Sequence, residues 1–136
     1  MLRGLTSLQL FVDDVAAAER WYTDVLGIEP YFRSEDAGLP PGHVGFRVGH
    51  QQSELGITDR GLAPDGMGAG PGGTVAYWQV DDVGAAFDRL LSMGAKPLQP
   101  PMELSKGFLI ASVLDPFGNV LGLRFDPGFE EGLGSA

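Results

Sequence analysis

The hydrophobic and polar positions of this chain follow the same pattern twice. Residues 6–18 read TSLQLFVDDVAAA, and residues 74–86 read TVAYWQVDDVGAA. Further along, Leu55-Gly56-Ile57 is matched by Leu121-Gly122-Leu123. A repeat that runs through whole segments indicates a duplicated structural unit, so the two halves are expected to fold alike.

The first half predicts the element order βαβββ. Leu8, Leu10 and Val12 recur at the two-residue period of a strand with one face on a core. Asp13 or Asp14 is placed to cap a helix that ends at Gly27. Three short strands are then predicted at residues 31–33, 44–48 and 53–58, because turn residues separate these runs.

The second half predicts the same order. A strand is expected over residues 74–80, followed by a helix that Asp82 caps and Gly94 ends. Residues 98–103 contain two prolines, which restrict them to an edge strand or a loop. Strands at 108–114 and 120–125 form a hairpin around a turn whose sequence is Asp-Pro-Phe-Gly-Asn.

The predicted fold class is therefore α+β, with two βαβββ modules in one domain of residues 1–127. The modules cover residues 4–60 and 74–127, and a Gly/Pro-rich link of residues 61–73 joins them. This link leads into a strand and not a helix, which argues against a phosphate-binding loop. Residues 128–136 show no period and are interpreted as a C-terminal tail.

Composition and charge narrow the possible partners. Nine basic and eighteen acidic residues give a net charge of −9, which disfavours nucleic acid and anionic lipid as partners. No apolar run approaches the roughly 20 residues of a membrane span. The chain has no cysteine, which excludes disulfides and thiolate chemistry and suits the cytoplasm. We expect a cytoplasmic protein whose partner is a small molecule.

Two motifs point to a known family. Trp-Tyr-Thr-Asp-Val-Leu-Gly at 21–27 and Asp-Pro-Phe-Gly-Asn at 115–119, within paired βαβββ units, resemble the vicinal oxygen chelate superfamily. This group is also called the glyoxalase/bleomycin resistance/dioxygenase superfamily. The resemblance implies mixed sheets that curl around a shared cleft, and it implies a homodimer. It does not specify a reaction, because one fold supports many chemistries.

The resemblance also locates the metal-ligand positions of the metal-dependent members. Their His, Gln or Glu ligands correspond here to four residues, Ser7, Gly56, Val75 and Gly122. Valine and glycine side chains offer no donor atom, and a neutral serine hydroxyl is a weak one. We therefore expect no bound metal and no cofactor, and we interpret His43 and His50 as structural or solvent-exposed histidines, since neither has metal-motif spacing.

The strand period predicts which side chains line the cleft. If Leu8, Leu10 and Val12 face the core, their neighbours face the other way, and the same holds for Ala76, Trp78 and Val80. Gly56 and Gly122 are expected to leave room for a ligand. The complete predicted ligand-binding set is Ser7, Gln9, Phe11, Arg47, Glu54, Gly56, Val75, Tyr77, Gln79, Gly122 and Arg124.

Three functions remain open from the sequence. The first is a metal-free protein that binds a partly aromatic compound, since aromatic walls with a few polar groups are typical of small-molecule pockets. The second is a metal-dependent lyase, isomerase or dioxygenase with a displaced, atypical metal site, or a cofactor-free catalyst that uses Tyr77, Glu54 or Arg124. The third is a partner-binding module in which Phe11 and Tyr77 fill the cleft and Gln79 pairs with a backbone group.

Overall fold

A computed structural model of the protein describes residues 1–129, so most of the predicted tail at 128–136 lies outside the described residues. These residues divide into two compact units, of which the first is Met1–Gly68 and the second begins at Ala69. The first unit contains strands β1 (Ser7–Val12), β2 (Phe32–Arg33), β3 (His43–Val48) and β4 (Ser53–Asp59), and helix α1 (Val15–Leu26). The second unit contains β5 (Tyr77–Gln79), α2 (Val83–Ser92), β6 (Lys96–Ser105), β7 (Phe108–Leu114) and β8 (Val120–Phe125). Two short 3₁₀ helices, Ser34–Ala37 and Arg60–Leu62, belong to the first unit.

Both units have the same sheet topology. The strand order is β1-β4-β3-β2 in the first unit and β5-β8-β7-β6 in the second. In each, the first strand runs parallel to the last, and the other pairs are antiparallel. A parallel pair needs a crossover between its strands, and here that path includes the helix. The prediction of two βαβββ modules is confirmed.

Each helix packs on one face of its own sheet. In the first unit Ala18 and Tyr22 of α1 are fully buried with Phe46 and Ile57 of the sheet. In the second unit the buried residues are Val83, Phe87 and Leu90 of α2 and, on the sheet, Ala111, Val113, Leu121 and Leu123. The side chains of the alternate strand residues lie on the other face of each sheet, and these include the predicted site residues.

The paired aspartates begin the helices as expected. The side chain of Asp14 accepts a hydrogen bond from the Ala17 amide at 3.0 Å, and Asp82 accepts one from the Ala85 amide at 3.0 Å. At the other end of α1, Gly27 adopts a φ of 69°, the left-handed conformation that glycine takes without strain. The predicted starts of both helices and the end of α1 are therefore confirmed, whereas α2 ends at Ser92 with Met93 as its C-cap, one residue before the predicted Gly94.

Some elements differ from the predictions. β5 covers three residues of the predicted seven-residue strand at 74–80. β6 forms despite Pro100 and Pro101, because it lies at the sheet edge and its register shifts around them. Trp78 was expected on the core face of its strand, but it is only half-buried. Within residues 1–129, no helix is long and apolar enough to cross a membrane.

The capping role predicts the effect of one substitution. Asp82→Ala should lower the free energy of unfolding by about 1 kcal/mol, because the Ala85 amide loses its acceptor. The neighbouring exposed Asp81 does not cap the helix, so Asp81→Ala should change it by less than about 0.5 kcal/mol. Urea denaturation of both variants measures the difference, and equal losses would contradict the assignment of the cap.

Candidate functional site

The face of the first sheet that lies opposite α1 carries all the predicted site residues of this unit. The register places Ser7 beside Glu54, Gln9 beside Gly56 and Phe11 beside Thr58. On the other side of β4, Arg47 lies opposite Glu54 and His43 lies opposite Thr58. We call this surface the Glu54 face. Its residues are Ser7, Gln9, Phe11, His43, Gly45, Arg47, Glu54, Gly56 and Thr58.

The Glu54 carboxylate is the centre of a hydrogen-bond network. Its Oε1 accepts hydrogen bonds from the Ser7 hydroxyl at 2.8 Å and from Gln9 Nε2 at 2.8 Å. Its Oε2 accepts one from the Tyr31 hydroxyl. The side chain of Glu54 is only 13% exposed, so these donors replace water that the carboxylate lost on folding. Ser7 and Gln9 come from β1, and Tyr31 precedes β2.

The network fixes the orientation of the Gln9 amide. Glu54 Oε1 is an acceptor, so the Gln9 atom beside it must be the NH₂ group. That group also donates to the Ser7 hydroxyl. Gln9 Oε1 therefore points the other way, where it accepts a hydrogen bond of 2.7 Å from the Thr58 hydroxyl. A flipped amide would bring two acceptors together at Glu54.

The hydrogen bond from Thr58 to Gln9 also fixes the tautomer of His43. Thr58 has one hydroxyl proton, and it is donated to Gln9 Oε1. The 2.9 Å contact between His43 Nδ1 and Thr58 Oγ1 must then be a hydrogen bond that His43 donates. Neutral His43 consequently carries its proton on Nδ1, and its Nε2 is an acceptor that lies 3.7 Å from Glu54 Oε2.

Ionisation of the cluster follows from these contacts. Burial by itself would raise the pKa of Glu54, but the hydrogen bonds from Tyr31, Ser7 and Gln9 outweigh this effect and bring the pKa below the ordinary 4.5. The hydrogen bond that Tyr31 donates to Glu54 raises the pKa of Tyr31 above its ordinary 10.0. At neutral pH the cluster therefore contains a carboxylate and a neutral phenol.

Aromatic rings surround the polar cluster. The Phe32 ring lies 5.7 Å from the His43 ring and 6.2 Å from the Tyr31 ring, measured between centroids. The Arg47 guanidinium lies over the Tyr31 ring at 4.2 Å and donates a hydrogen bond of 3.2 Å to the Gln52 carbonyl. Tyr31 is about half exposed, so the rings and the cluster are accessible from solvent.

The second unit places the remaining predicted site residues on the matching face of its own sheet. Tyr77 lies beside Gly122 and Gln79 beside Arg124. Both ends of the Gln79 amide are used within the unit, because it donates to the Asp126 carbonyl at 3.1 Å and accepts from the Asp126 amide at 2.9 Å. The Arg124 guanidinium lies 5.6 Å from the Phe108 ring, while Val75 and Tyr77 are exposed. Gln79 therefore has the backbone-pairing role that the sequence left open as an alternative.

Neighbouring chain lies close to both Gly56 and Gly122, and their expected role in leaving room for a ligand stays a prediction. A Cβ atom at Gly56 would lie 2.6 Å from Gln9 Cδ, so the Gln9 amide fills this space. A Cβ atom at Gly122 would lie 2.5 Å from the Ala76 carbonyl oxygen and 2.8 Å from Tyr77 Cδ1. The two glycines thus allow neighbouring chain to approach closely.

Three members of the cluster are absent from the predicted site. Thr58 is in phase with Glu54 and Gly56, so the strand period alone could have found it. His43 reaches the cluster only through the register of the β3–β4 hairpin. Tyr31 lies outside a strand, and its reach to Glu54 has no periodic signal. His50 lies in the turn after β3, as expected.

Two βαβββ units with parallel first and last strands define the vicinal oxygen chelate fold. The sequence profile of the Glyoxalase/Bleomycin resistance protein/Dioxygenase superfamily matches residues 4–123, and the chain belongs to this superfamily. No curated protein matches the chain significantly.

Solved structures agree with this assignment. The chain is similar to a glyoxalase-related enzyme from Fulvimarina pelagi, at 23% identity over 93% of this chain and 90% of that one, with a TM-score of 0.73. A superfamily member from Sphaerobacter thermophilus shares 23% identity over 92% of this chain and 98% of that one, with a TM-score of 0.72. A family enzyme from Burkholderia phytofirmans shares 19% identity over 90% and 98%, with a TM-score of 0.67. Such identities establish the fold and leave the function to the site.

The residues at the superfamily's metal-ligand positions do not fit a transition metal. In the first unit, Gly56 has no donor and its space holds the Gln9 amide, while the Ser7 hydroxyl already donates to Glu54. In the second unit, Val75 and Gly122 have no donor atoms. Across residues 1–129, no group of three or more His, Cys, Asp or Glu side chains is placed to hold a metal ion.

The ionised Glu54 predicts a pH-dependent stability difference. At neutral pH, Glu54→Gln should lower the free energy of unfolding by about 1 to 3 kcal/mol, because charge-assisted hydrogen bonds are lost. The pKa of Glu54 is depressed in the folded protein, so its stabilisation is complete above the ordinary pKa of 4.5 and disappears as pH falls through the folded value. Urea denaturation between pH 7 and acidic pH should show that the free energies of unfolding of the wild type and of Glu54→Gln become equal as the pH falls. The exposed Glu35→Gln serves as control, and a difference that does not change with pH would contradict the account.

The close approach at Gly56 predicts a steric effect. Gly56→Ala should lower the free energy of unfolding by about 1 to 3 kcal/mol, because the methyl group must displace an amide that is held by Thr58, Ser7 and Glu54. Gly68 has no neighbour within 4 Å of an added Cβ, so Gly68→Ala is the matched control. Denaturation measures both variants. An unchanged stability for Gly56→Ala would show that Gln9 does not occupy this space.

Proposed function

We propose that this protein binds a small, partly aromatic organic molecule at the Glu54 face and needs no metal ion to do so. The observation that carries the proposal is the position of Gln9, which fills the space over Gly56 and donates to Glu54. Polar groups with fixed orientations therefore stand where metal ligands are expected, beside the rings of Phe32 and Tyr31. Oriented polar groups next to aromatic rings are what small-molecule recognition requires.

The ionisation of the cluster favours binding over acid–base catalysis. A general acid or base works best when its pKa is close to the working pH. Glu54 departs from that condition because its pKa is lowered, and Tyr31 departs from it because its pKa is raised. Both groups are better suited to hold a ligand than to exchange protons with it. The homodimer and the cytoplasmic location remain predictions.

Ligand binding is tested by screening aromatic compounds against the full chain in a metal chelator. At least one compound should raise the unfolding temperature, and saturation at a hundredfold excess over Kd adds about 2.7 kcal/mol of stability. Residue-resolved NMR should place the largest shift changes at the Glu54 face, and adding divalent metal should leave the affinity unchanged. The proposal fails if no compound binds, or if binding or turnover appears only when metal is restored.

A further inference from the structure

Two hydrogen-bond acceptors, His43 Nε2 and Glu54 Oε2, lie close together on the Glu54 face. Neutral His43 presents its Nε2 lone pair, because Nδ1 carries the proton that is donated to Thr58. Glu54 Oε2 accepts from Tyr31 and, as a carboxylate oxygen, can accept a further hydrogen bond. The two atoms are 3.7 Å apart, and the side chains of His43 and Glu54 are 24% and 13% exposed. The pair is thus shielded but reachable.

The separation of the two acceptors suits one shared nitrogen donor. A nitrogen about 2.8 Å from both atoms, the usual length of a charge-assisted hydrogen bond, would lie to one side of the line that joins them, because the acceptors are 3.7 Å apart. An ammonium group has several N–H donors and can serve both acceptors at once, while its charge matches the carboxylate. A ligand carboxylate in the same place would add a third acceptor and a second negative charge.

The surroundings also favour a cation with an aromatic body. The Phe32 ring packs near His43, and the Tyr31 ring lies next to Phe32, so an aromatic group attached to the amine has rings to contact. The chain carries a net charge of −9, which attracts cations from a distance. Arg47 is the one basic residue among those that define the Glu54 face and opposes a second cation. It is held over the Tyr31 ring and by the Gln52 carbonyl.

We infer that the ligand of the Glu54 face is a protonated aliphatic amine that carries an aromatic ring, and that its ammonium group donates to both Glu54 Oε2 and His43 Nε2. The inference rests on the proposed binding function and adds the chemical class of the ligand. It assigns His43 a direct contact with the ligand through Nε2, which requires the Nδ1-protonated tautomer. It also assigns Arg47 the role of limiting the affinity for cations.

Three probes of similar size test the charge preference. Benzylammonium, benzyl alcohol and phenylacetate are titrated into the full chain at neutral pH, and binding is followed by NMR shift changes at the Glu54 face. Benzylammonium should bind at least about ten-fold more tightly than either of the others, because one charge-assisted hydrogen bond is worth about that factor. Equal or reversed affinities overturn the inference and leave the proposed function standing. If none of the three probes binds, the inference is overturned, and the wider screen of aromatic compounds still decides whether the proposed function is correct.

Variants test which residues produce the preference. Glu54→Gln and His43→Leu should each remove most of it, whereas Arg47→Gln should tighten benzylammonium binding. Glu103→Gln and His50→Gln change the same residue types elsewhere and should keep the wild-type preference. A preference that survives both Glu54→Gln and His43→Leu overturns the inference. Zinc that displaces benzylammonium from the wild type but not from His43→Leu also overturns it, because the pair would then be a metal-ligand pair.

The histidine tautomer gives a readout that does not depend on mutation. In the free protein, the ¹⁵N shifts of the neutral form of His43 should show the proton on Nδ1 and none on Nε2. Benzylammonium should then shift the Nε2 resonance, while the resonances of His50 stay in place. A His43 whose proton is on Nε2 overturns the inference, because the second acceptor is then missing.

Discussion

The Glu54 face depends on one constraint: a carboxylate that is mostly removed from water must receive hydrogen bonds from the protein. Glu54 obtains them from Ser7 and Gln9 on one side and from Tyr31 on the other. The first two donors are available only because β1 lies parallel to β4 in the register that pairs Ser7 with Glu54. A shift of β1 by one residue would turn Leu8 and Leu10 toward the carboxylate and take both donors away. The crossover connection and the packing of α1 against the sheet hold β1 in this register. They therefore also keep the donors in place that stabilise the Glu54 carboxylate.

The duplicated halves show how one backbone plan supports two chemistries. Gly56 and Gly122 occupy corresponding positions beside β1 and β5, and in both units a neighbouring segment takes up the space that a side chain would need. In the first unit that neighbour is the Gln9 amide, which joins a polar network. In the second unit it is the Ala76 carbonyl with Tyr77 and Val75. The two sheet faces therefore share topology and differ in charge, with Glu54 on one and Arg124 on the other.

The strand and helix period was sufficient to predict most of the fold. The alternation at Leu8, Leu10 and Val12 places the core correctly, and Asp14 and Asp82 begin the helices because a side-chain acceptor is needed there. The same alternation places Ser7, Gln9 and Glu54 on one face. It could not show that Gln79 is bonded to the Asp126 backbone, since that contact joins segments 47 residues apart. The alternation also could not predict that Tyr31 and His43 contact Glu54. His43 depends on the register of the β3–β4 hairpin, and Tyr31 lies outside any strand.

The central claim is that Glu54 is held as a carboxylate by its hydrogen-bond donors, so that this face recognises an organic ligand. The most direct test is a ¹³C NMR titration of the Glu54 side-chain carboxyl in the intact protein. The account predicts a midpoint below the ordinary pKa of 4.5, because the donors outweigh the effect of burial. A midpoint at or above that value would contradict it, since burial would then prevail over the network.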